Sequence, residues 1–223
     1  MSSLPTLPGD DIRQIMWRFA DRYDIQMAVQ SARQVARTTV ARLVADGERN
    51  HHEWNDRKAE LLKAFDASGL TALYLEAEQG GFIEGPKNLA MALVAFEISW
   101  VDAGAATCSL AGNLALAPIH ERGTDEQRNY YLGKASLQHE NPWRGAFALT
   151  EPLPYVGVDT GVLSGKIRIA EWKEGEEPIL EVEKRGRFIT NMDFANFVTA
   201  AVDSDDPRIK GTCMITLEET DEG

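Results

Sequence analysis

Two short stretches of this sequence end in polar groups that could line a ligand pocket. Residues 145–152 read GAFALTEP, and residues 187–191 read RFITN. Each is an apolar run that ends in a hydroxyl or amide side chain before a turn, which is how a strand delivers polar groups to the rim of a sheet. Thr150 and Thr190 could therefore line one wall of a pocket for a flat ligand with polar edges, although turn formation alone is the commoner role of such threonines.

Glu97 is a lone acid within an apolar helical run at residues 89–101. A carboxylate in such a place could act as a catalytic base, or it could be a capped or paired acid near the surface of a helical bundle. No histidine and no second acid lies on the same helical face, so the sequence favours the capped or paired acid.

The histidines and cysteines do not form a metal-ligand pattern. His51 and His52 precede Glu53, but a third ligand at the spacing of a zinc motif is missing, which predicts an exposed loop. Cys108 and Cys213 are far apart and lie among apolar residues. Two such cysteines make neither a disulfide framework nor a metal site, so they are interpreted as reduced, buried small residues.

The charge balance and hydropathy exclude several classes of partner. The 223 residues carry a formal net charge of −12 at pH 7. Nucleic acid needs clustered lysine and arginine, which so acidic a chain does not favour. No apolar run approaches the ~20 residues of a membrane span, and the N-terminus lacks the basic start of a signal peptide. These features predict a soluble, cytoplasmic protein that binds neither nucleic acid nor membrane.

Helical periodicity dominates the first part of the chain. Proline and glycine near the start predict a flexible N-terminus over residues 1–9, and a helical domain is predicted over residues 10–140. The predicted helices are a short one capped by Asp10 or Asp11, then residues 24–47, 53–67, 89–101 and 104–117, and one that follows Gly123. Thr124 and Gln127 have the spacing of a capping box for the last helix.

Short β-type runs replace the helical pattern after residues 139–144, and a β-domain is predicted over residues 145–223. The predicted strands are residues 146–150, 166–171, 179–183, 187–190, 196–202 and 212–218. No helices alternate with them, so we predict an α+β fold, an N-terminal helical bundle followed by a small antiparallel β-barrel or sandwich. The open sheet edge and the lack of a closing element predict that more protein follows residue 223.

The two strand-end stretches together resemble a known signature. FALTEP at residues 147–152, followed by FITN at residues 188–191, is similar to the flavin-binding signature pair of the acyl-CoA dehydrogenase family. GTDEQRNYYL at residues 123–132 resembles the stretch that this family places just before its β-domain. An acidic segment before Gly80-Gly81 is similar to a turn that precedes the family's first buried helix. The resemblance covers residues 25–218 in the family's order, without its C-terminal helical domain.

The resemblance implies FAD as the cofactor, bound between the β-domain and the C-terminal helices. The implied cofactor-binding residues are Phe147, Leu149, Thr150, Gly157, Phe188 and Thr190. The first segment would contact the flavin ring through backbone groups and the Thr150 hydroxyl, with Thr190 near N5 at the other edge. The implied reaction is α,β-desaturation of an acyl-CoA thioester by a homo-oligomeric enzyme, a dimer or tetramer, that passes electrons to an electron-transfer flavoprotein.

The sequence also departs from the family pattern. The family continues Thr-Glu-Pro-x-Ala-Gly-Ser-Asp, whereas residues 150–159 read TEPLPYVGVD and place Val158 where the serine is expected. Lys184-Arg185-Gly186 permutes the family's Gly-x-Lys. The family's base is a glutamate of the C-terminal domain or its nearby helices, and no matching position exists here, so the sequence identifies no catalytic residue. The alternatives are an acyl-CoA oxidase or flavin monooxygenase of the same superfamily, or a non-catalytic binding or scaffold protein that retains the fold.

Overall fold

Helices form the first half of the chain and strands the second, which confirms the predicted α+β class. The computed structural model describes residues 16–48, 53, 55–153 and 162–218, and of Trp17 it describes the backbone alone. The helices are α1 (Tyr23–Val35), α2 (Ala41–Ala45), α3 (Asp56–Ala67), α4 (Lys87–Ser99), α5 (Ala103–Arg122) and α6 (Asp125–Lys134). The strands are β1 (Gly145–Ala148), β2 (Lys166–Glu171), β3 (Ile179–Glu183), β4 (Phe197–Ser204) and β5 (Thr212–Glu218).

The first long helix runs almost where the sequence predicts it. A π-helical segment, Ala36–Val40, joins α1 to α2 without a break. Ile25, Ala28 and Val29 are fully buried, as expected for the apolar stripe of an amphipathic helix. Gly47 adopts a left-handed φ of 83°, which suits the end of a helix.

Side-chain caps set two further helix starts. The Gln127 N–H donates to Thr124 Oγ1 at 3.2 Å and the Thr124 N–H donates to Gln127 Oε1 at 2.9 Å, so the predicted capping box of α6 is confirmed. The helix predicted from residue 53 begins at Asp56 instead. Asn55 is its cap, because the Asn55 Oδ1 accepts a hydrogen bond from the Lys58 N–H at 2.9 Å.

Glu97 lies inside the helical bundle. It is 4% exposed, and Arg33 of α1 is 3% exposed. The Arg33 Nε donates to Glu97 Oε2 at 2.8 Å, and the Arg33 Nη2 donates to Glu97 Oε1, so the ion pair is bidentate. The prediction of a paired acid is confirmed, but its predicted place near the bundle surface is wrong. A planar guanidinium on a neighbouring helix allows this charge to be buried.

The sheet is mixed and not purely antiparallel, which corrects one detail of the predicted fold. Its order is β1-β4-β2-β3, and β5 also pairs with β4. The pairs β2/β3 and β4/β5 are antiparallel, whereas β1/β4 and β2/β4 are parallel. The β2–β3 hairpin lies between β1 and β4 in the chain, so the chain returns beside β1 in the same direction. A long connection of this kind permits parallel pairing.

Residues 187–190 do not form the predicted strand. Phe188 has a φ of 58° and Asn191 has a φ of 67°, both in the left-handed region. A strand needs an extended backbone at every residue, so this stretch is a loop that leads into a short 3₁₀ turn at Met192–Phe194. The apolar-then-polar pattern therefore predicted a strand where the structure has a loop.

The largest hydrophobic core joins the helices to the sheet. Phe197 of β4 is 1% exposed and belongs to the same buried cluster as Phe65 of α3 and Leu116 of α5. The Thr199 Oγ1 donates to the Ala115 carbonyl oxygen at 2.8 Å, which ties β4 to α5. Within the described residues, no helix combines the length and the apolar character that a membrane span needs.

Gly145, the first residue of β1, permits a close approach of the strand to α5 and to Phe197. A Cβ atom at this position would lie 2.5 Å from the Ala115 Cβ and 2.6 Å from the Phe197 ring. Replacing Gly145 with alanine is therefore expected to lower the free energy of unfolding by about 1–3 kcal/mol, measured by chemical denaturation.

Gly133→Ala is the matched control for that substitution. Gly133 lies within α6, and a Cβ there would meet nothing within 4 Å. Alanine should raise stability at this position by about 0.5–1 kcal/mol, because it loses less backbone freedom than glycine on folding. Equal effects of the two substitutions would contradict the assigned packing of Gly145.

Candidate functional site

The first rim segment, residues 149–151, directly follows β1. Leu149 and Thr150 are half-buried, and Glu151 is fully buried. The Glu151 carboxylate accepts hydrogen bonds from the N–H groups of Ser164 at 2.6 Å and Gly165 at 2.9 Å, just before β2. Glu151 therefore ties the end of the first rim segment to the start of β2.

Lys184 pairs with Glu151 and completes this arrangement. Its Nζ donates to Glu151 Oε1 at 2.7 Å, to the Leu149 carbonyl oxygen at 3.2 Å and to the Ala201 carbonyl oxygen of β4 at 2.9 Å. These acceptors match the three donors of an ammonium group. Burial alone would raise the pKa of Glu151, but the Lys184 ammonium and the N–H groups of Ser164 and Gly165 lower it to about 2.

The second rim segment, residues 186–190, lies beside the first. The Arg187 N–H donates to the Thr150 carbonyl oxygen at 3.0 Å, so the two stretches singled out in the sequence are neighbours. Phe188 is 79% exposed, with the Arg187 guanidinium 4.5 Å from the centre of its ring. Thr190 is half-buried. Asn191 then anchors the end of the segment, because its Nδ2 donates to the Cys108 carbonyl oxygen of α5 at 2.9 Å.

The two threonine hydroxyl groups are available to a ligand. Within the described part of the chain, the hydroxyl groups of Thr150 and Thr190 make no hydrogen bond to protein. Both residues are half-buried, so their hydroxyl groups are only partly hydrated and would gain from a partner. A planar ligand with polar atoms along its edges could supply such partners.

None of the five predicted contact residues that the structure describes lines the cavity beside the rim segments. A cavity of about 460 Å³ lies against the sheet and is lined by Ala148 of β1, Gly186 and Ile189 of the second rim segment, and Leu217 of β5, among others. Phe147 lies on the opposite face of β1 from Ala148, because side chains alternate along a strand. Gly157 lies outside the described residues.

Among the described residues, the cysteines form neither a disulfide nor a metal site. His51 and His52 lie outside the described residues, and among the described ones no three histidine, cysteine, aspartate or glutamate side chains gather to hold a metal ion. Cys108 and Cys213 are free thiols, half-buried where full burial was predicted. Burial raises the pKa of Cys108 to about 11, so its thiol stays protonated at neutral pH.

Sequence reasoning missed the roles of Glu151 and Lys184. A signal was present, since the sequence places an acid immediately after an apolar strand, and such an acid needs a partner if the strand end is buried. Its partner lies 33 residues away in the chain, so only the folded structure identifies it. In the sequence, Lys184 stands out only as the first residue of a permuted motif.

The fold, a helical bundle followed by a mixed sheet, is similar to that of two solved structures described as flavin complexes. An FAD-complexed acyl-CoA dehydrogenase from Bacillus anthracis is 24% identical, with a TM-score of 0.66 over 88% of this chain and 31% of that chain. FMN- and indole-bound TdsC from Paenibacillus sp. A11-2 is 19% identical, with a TM-score of 0.66 over 86% of this chain and 43% of that chain.

The family itself is shown by the helical half of the chain. Residues 23–136, just over half of the sequence, match the model of the acyl-CoA dehydrogenase N-terminal domain. The chain therefore belongs to the acyl-CoA dehydrogenase family. A structure described as an electron-transferring flavoprotein of Acidaminococcus fermentans is 25% identical, with a TM-score of 0.67 over 88% of this chain. The chain spans 48% of that solved chain, about half of its length.

Proposed function

We propose that this chain is the N-terminal part of an FAD-dependent acyl-CoA dehydrogenase, which catalyses the α,β-desaturation of an acyl-CoA thioester. The observation that carries the proposal is the adjacency of the two rim segments. The hydrogen bond from Arg187 to Thr150 holds together two stretches that each bear a half-buried, unpaired threonine hydroxyl. Membership of the family supplies the reaction class.

The residues present fit one edge of a flavin ring. A flavin that accepts a hydride at N5 gains negative charge toward N1 and the C2 carbonyl, and fixed donors stabilise that charge. The hydroxyl groups of Thr150 and Thr190 would be such donors if the flavin bound against the two rim segments. The exposed ring of Phe188 offers an apolar surface beside them. We include Leu149, Phe147 and Gly157 in the same proposed set through their backbone groups.

FAD, when bound, supplies the acceptor for the hydride that leaves the substrate's β-carbon. In this proposal Thr150 and Thr190 orient the ring, and Phe188 excludes water from one side of it. Glu97 does not remove the α-proton, because its carboxylate is bound to Arg33 inside the bundle. The base and the rest of the flavin site would come from further protein, either a continuation of this chain or a second subunit.

The proposed substrate is an acyl-CoA, and the proposed electron acceptor is an electron-transfer flavoprotein. We also propose a cytoplasmic homo-oligomer, a dimer or a tetramer. An acyl-CoA oxidase or monooxygenase differs in its electron acceptor, so rapid reoxidation of the reduced flavin by oxygen would favour those activities. Protein that stays colourless with added FAD would favour a binding or scaffold role.

Flavin titration of two threonine variants tests the proposal. Protein expressed from the complete reading frame around this sequence is titrated with FAD and with FMN, and binding is followed by flavin fluorescence. Thr150→Val and Thr190→Val each remove one donor while keeping the shape of the side chain. Each is expected to weaken FAD binding by about fivefold, the usual effect of losing one neutral hydrogen bond of about 1 kcal/mol.

Thr38→Val is the control, because Thr38 is exposed and its hydroxyl donates to the Gln34 carbonyl oxygen at 2.7 Å, away from the rim segments. This variant should bind FAD as the unchanged protein does. Equal affinity in all three variants would contradict the assigned site. Failure of the unchanged protein to bind either flavin would contradict the proposed function.

A further inference from the structure

Lys184 contacts several separate stretches of the β-domain through one ammonium group. Its three acceptors are the Leu149 carbonyl, the Glu151 carboxylate and the Ala201 carbonyl of β4. Glu151 in turn accepts from the backbone before β2. One ion pair therefore holds the end of β1, the start of β2 and the middle of β4 at fixed separations.

The burial of this ion pair makes its geometry strict. The Lys184 side chain is 7% exposed and the Glu151 side chain is 0% exposed. A buried charge is tolerated only where its partner and its remaining hydrogen bonds are in place. Neither side chain can move out of the arrangement without leaving the other charge uncompensated.

Lys184 also begins the stretch that carries the second rim segment. Arg187 donates its N–H to the Thr150 carbonyl oxygen, and Asn191 is bound to the Cys108 carbonyl oxygen of α5. The loop that contains Phe188 and Thr190 is thus held at both of its ends. Its first end is held against the first rim segment by Lys184 and Arg187.

We infer that Lys184 is a positioning residue that couples the two rim segments, so that the Thr150 and Thr190 hydroxyl groups are ordered together. This inference rests on the proposed function for its consequence, which is that flavin binding depends on the bonds from Lys184 to Leu149 and Glu151. Lys184, the first residue of the permuted motif, is thereby assigned a positioning role. It sets the separation between the two hydroxyl groups that would meet the ring.

The test compares Lys184→Met with Glu97→Gln. Both substitutions break a buried ion pair, but the Glu97–Arg33 pair lies between helices α1 and α4 and not in the sheet. Hydrogen exchange is measured by mass spectrometry on peptides that cover residues 149–151 and 186–190. Lys184→Met should accelerate exchange in both peptides together by about tenfold, because both lose the bonds that order them. Glu97→Gln should instead accelerate hydrogen exchange in peptides from helices α1 and α4.

Flavin affinity is the second readout. Lys184→Met should weaken FAD binding by about tenfold, whereas Glu97→Gln should leave it within about twofold. Lys184→Arg, which keeps the charge, should retain more affinity than Lys184→Met, and it carries the test if Lys184→Met does not fold. Faster exchange in only one rim segment would overturn the inference, as would equal loss of affinity in Lys184→Met and Glu97→Gln. If the unchanged protein binds no flavin, the proposed function fails and the exchange result alone decides the coupling.

Discussion

Replacing Glu97 with glutamine is expected to lower the free energy of unfolding by about 3–5 kcal/mol, the usual cost of removing one partner of a buried ion pair. The substitution removes the negative charge to which the Arg33 guanidinium, 3% exposed, donates two hydrogen bonds. In the unchanged protein, attraction between Arg33 and Glu97 offsets the hydration that both charges lose on burial. The neutral glutamine cannot replace that attraction. Urea denaturation followed by helical circular dichroism measures the change.

Two companion variants separate this effect from a general loss of charge. Asp46→Asn breaks the exposed ion pair between Arg57 and Asp46, whose side chains are 43% and 41% exposed, and should lower stability by no more than about 1 kcal/mol. The double variant Arg33→Met/Glu97→Leu removes both buried charges and should recover most of the loss. A loss below about 1 kcal/mol for Glu97→Gln would show that the pair is not buried as described.

Acidification is expected to remove about 3 kcal/mol of stability through Glu151 alone. Its pKa is about 2 in the folded protein, against an ordinary value of 4.5. A carboxyl group whose pKa is lowered on folding stabilises the folded state fully above its unfolded pKa. This contribution is lost as the pH falls from about 4.5 toward about 2, because the folded protein must then release the Lys184 and backbone hydrogen bonds to the carboxylate.

The double variant Glu151→Gln/Lys184→Met isolates that contribution, because it removes the titrating group and its counter-charge together. The free energy of unfolding is measured for both proteins between about pH 6 and about pH 2. Both should lose stability on acidification, since Asp24 also has a lowered pKa, bonded to Arg22. The unchanged protein should lose about 3 kcal/mol more than the double variant. Parallel curves would show that Glu151 does not titrate as described.

The sequence alone determined those elements whose causes are local. Strands β2, β3 and β5 coincide with the predicted runs, because alternating side chains and the turns between them lie within each segment. The capping box of α6 was equally predictable, since Thr124 and Gln127 satisfy each other's backbone groups within one turn. The family resemblance is likewise carried by contiguous motifs, which is why the amino-acid sequence suffices to reveal it.

Tertiary structure alone decided the pairings between distant residues. The Glu97–Arg33 pair joins residues 64 positions apart, and its burial reversed the expectation of an acid near the surface. The parallel pairing of β1 with β4 and the left-handed loop at Phe188 likewise depend on where the chain returns, which no local pattern encodes. The physical reason is that local sequence sets the preference of each segment, whereas charge pairing, register and loop conformation depend on groups that only folding brings within a few ångströms.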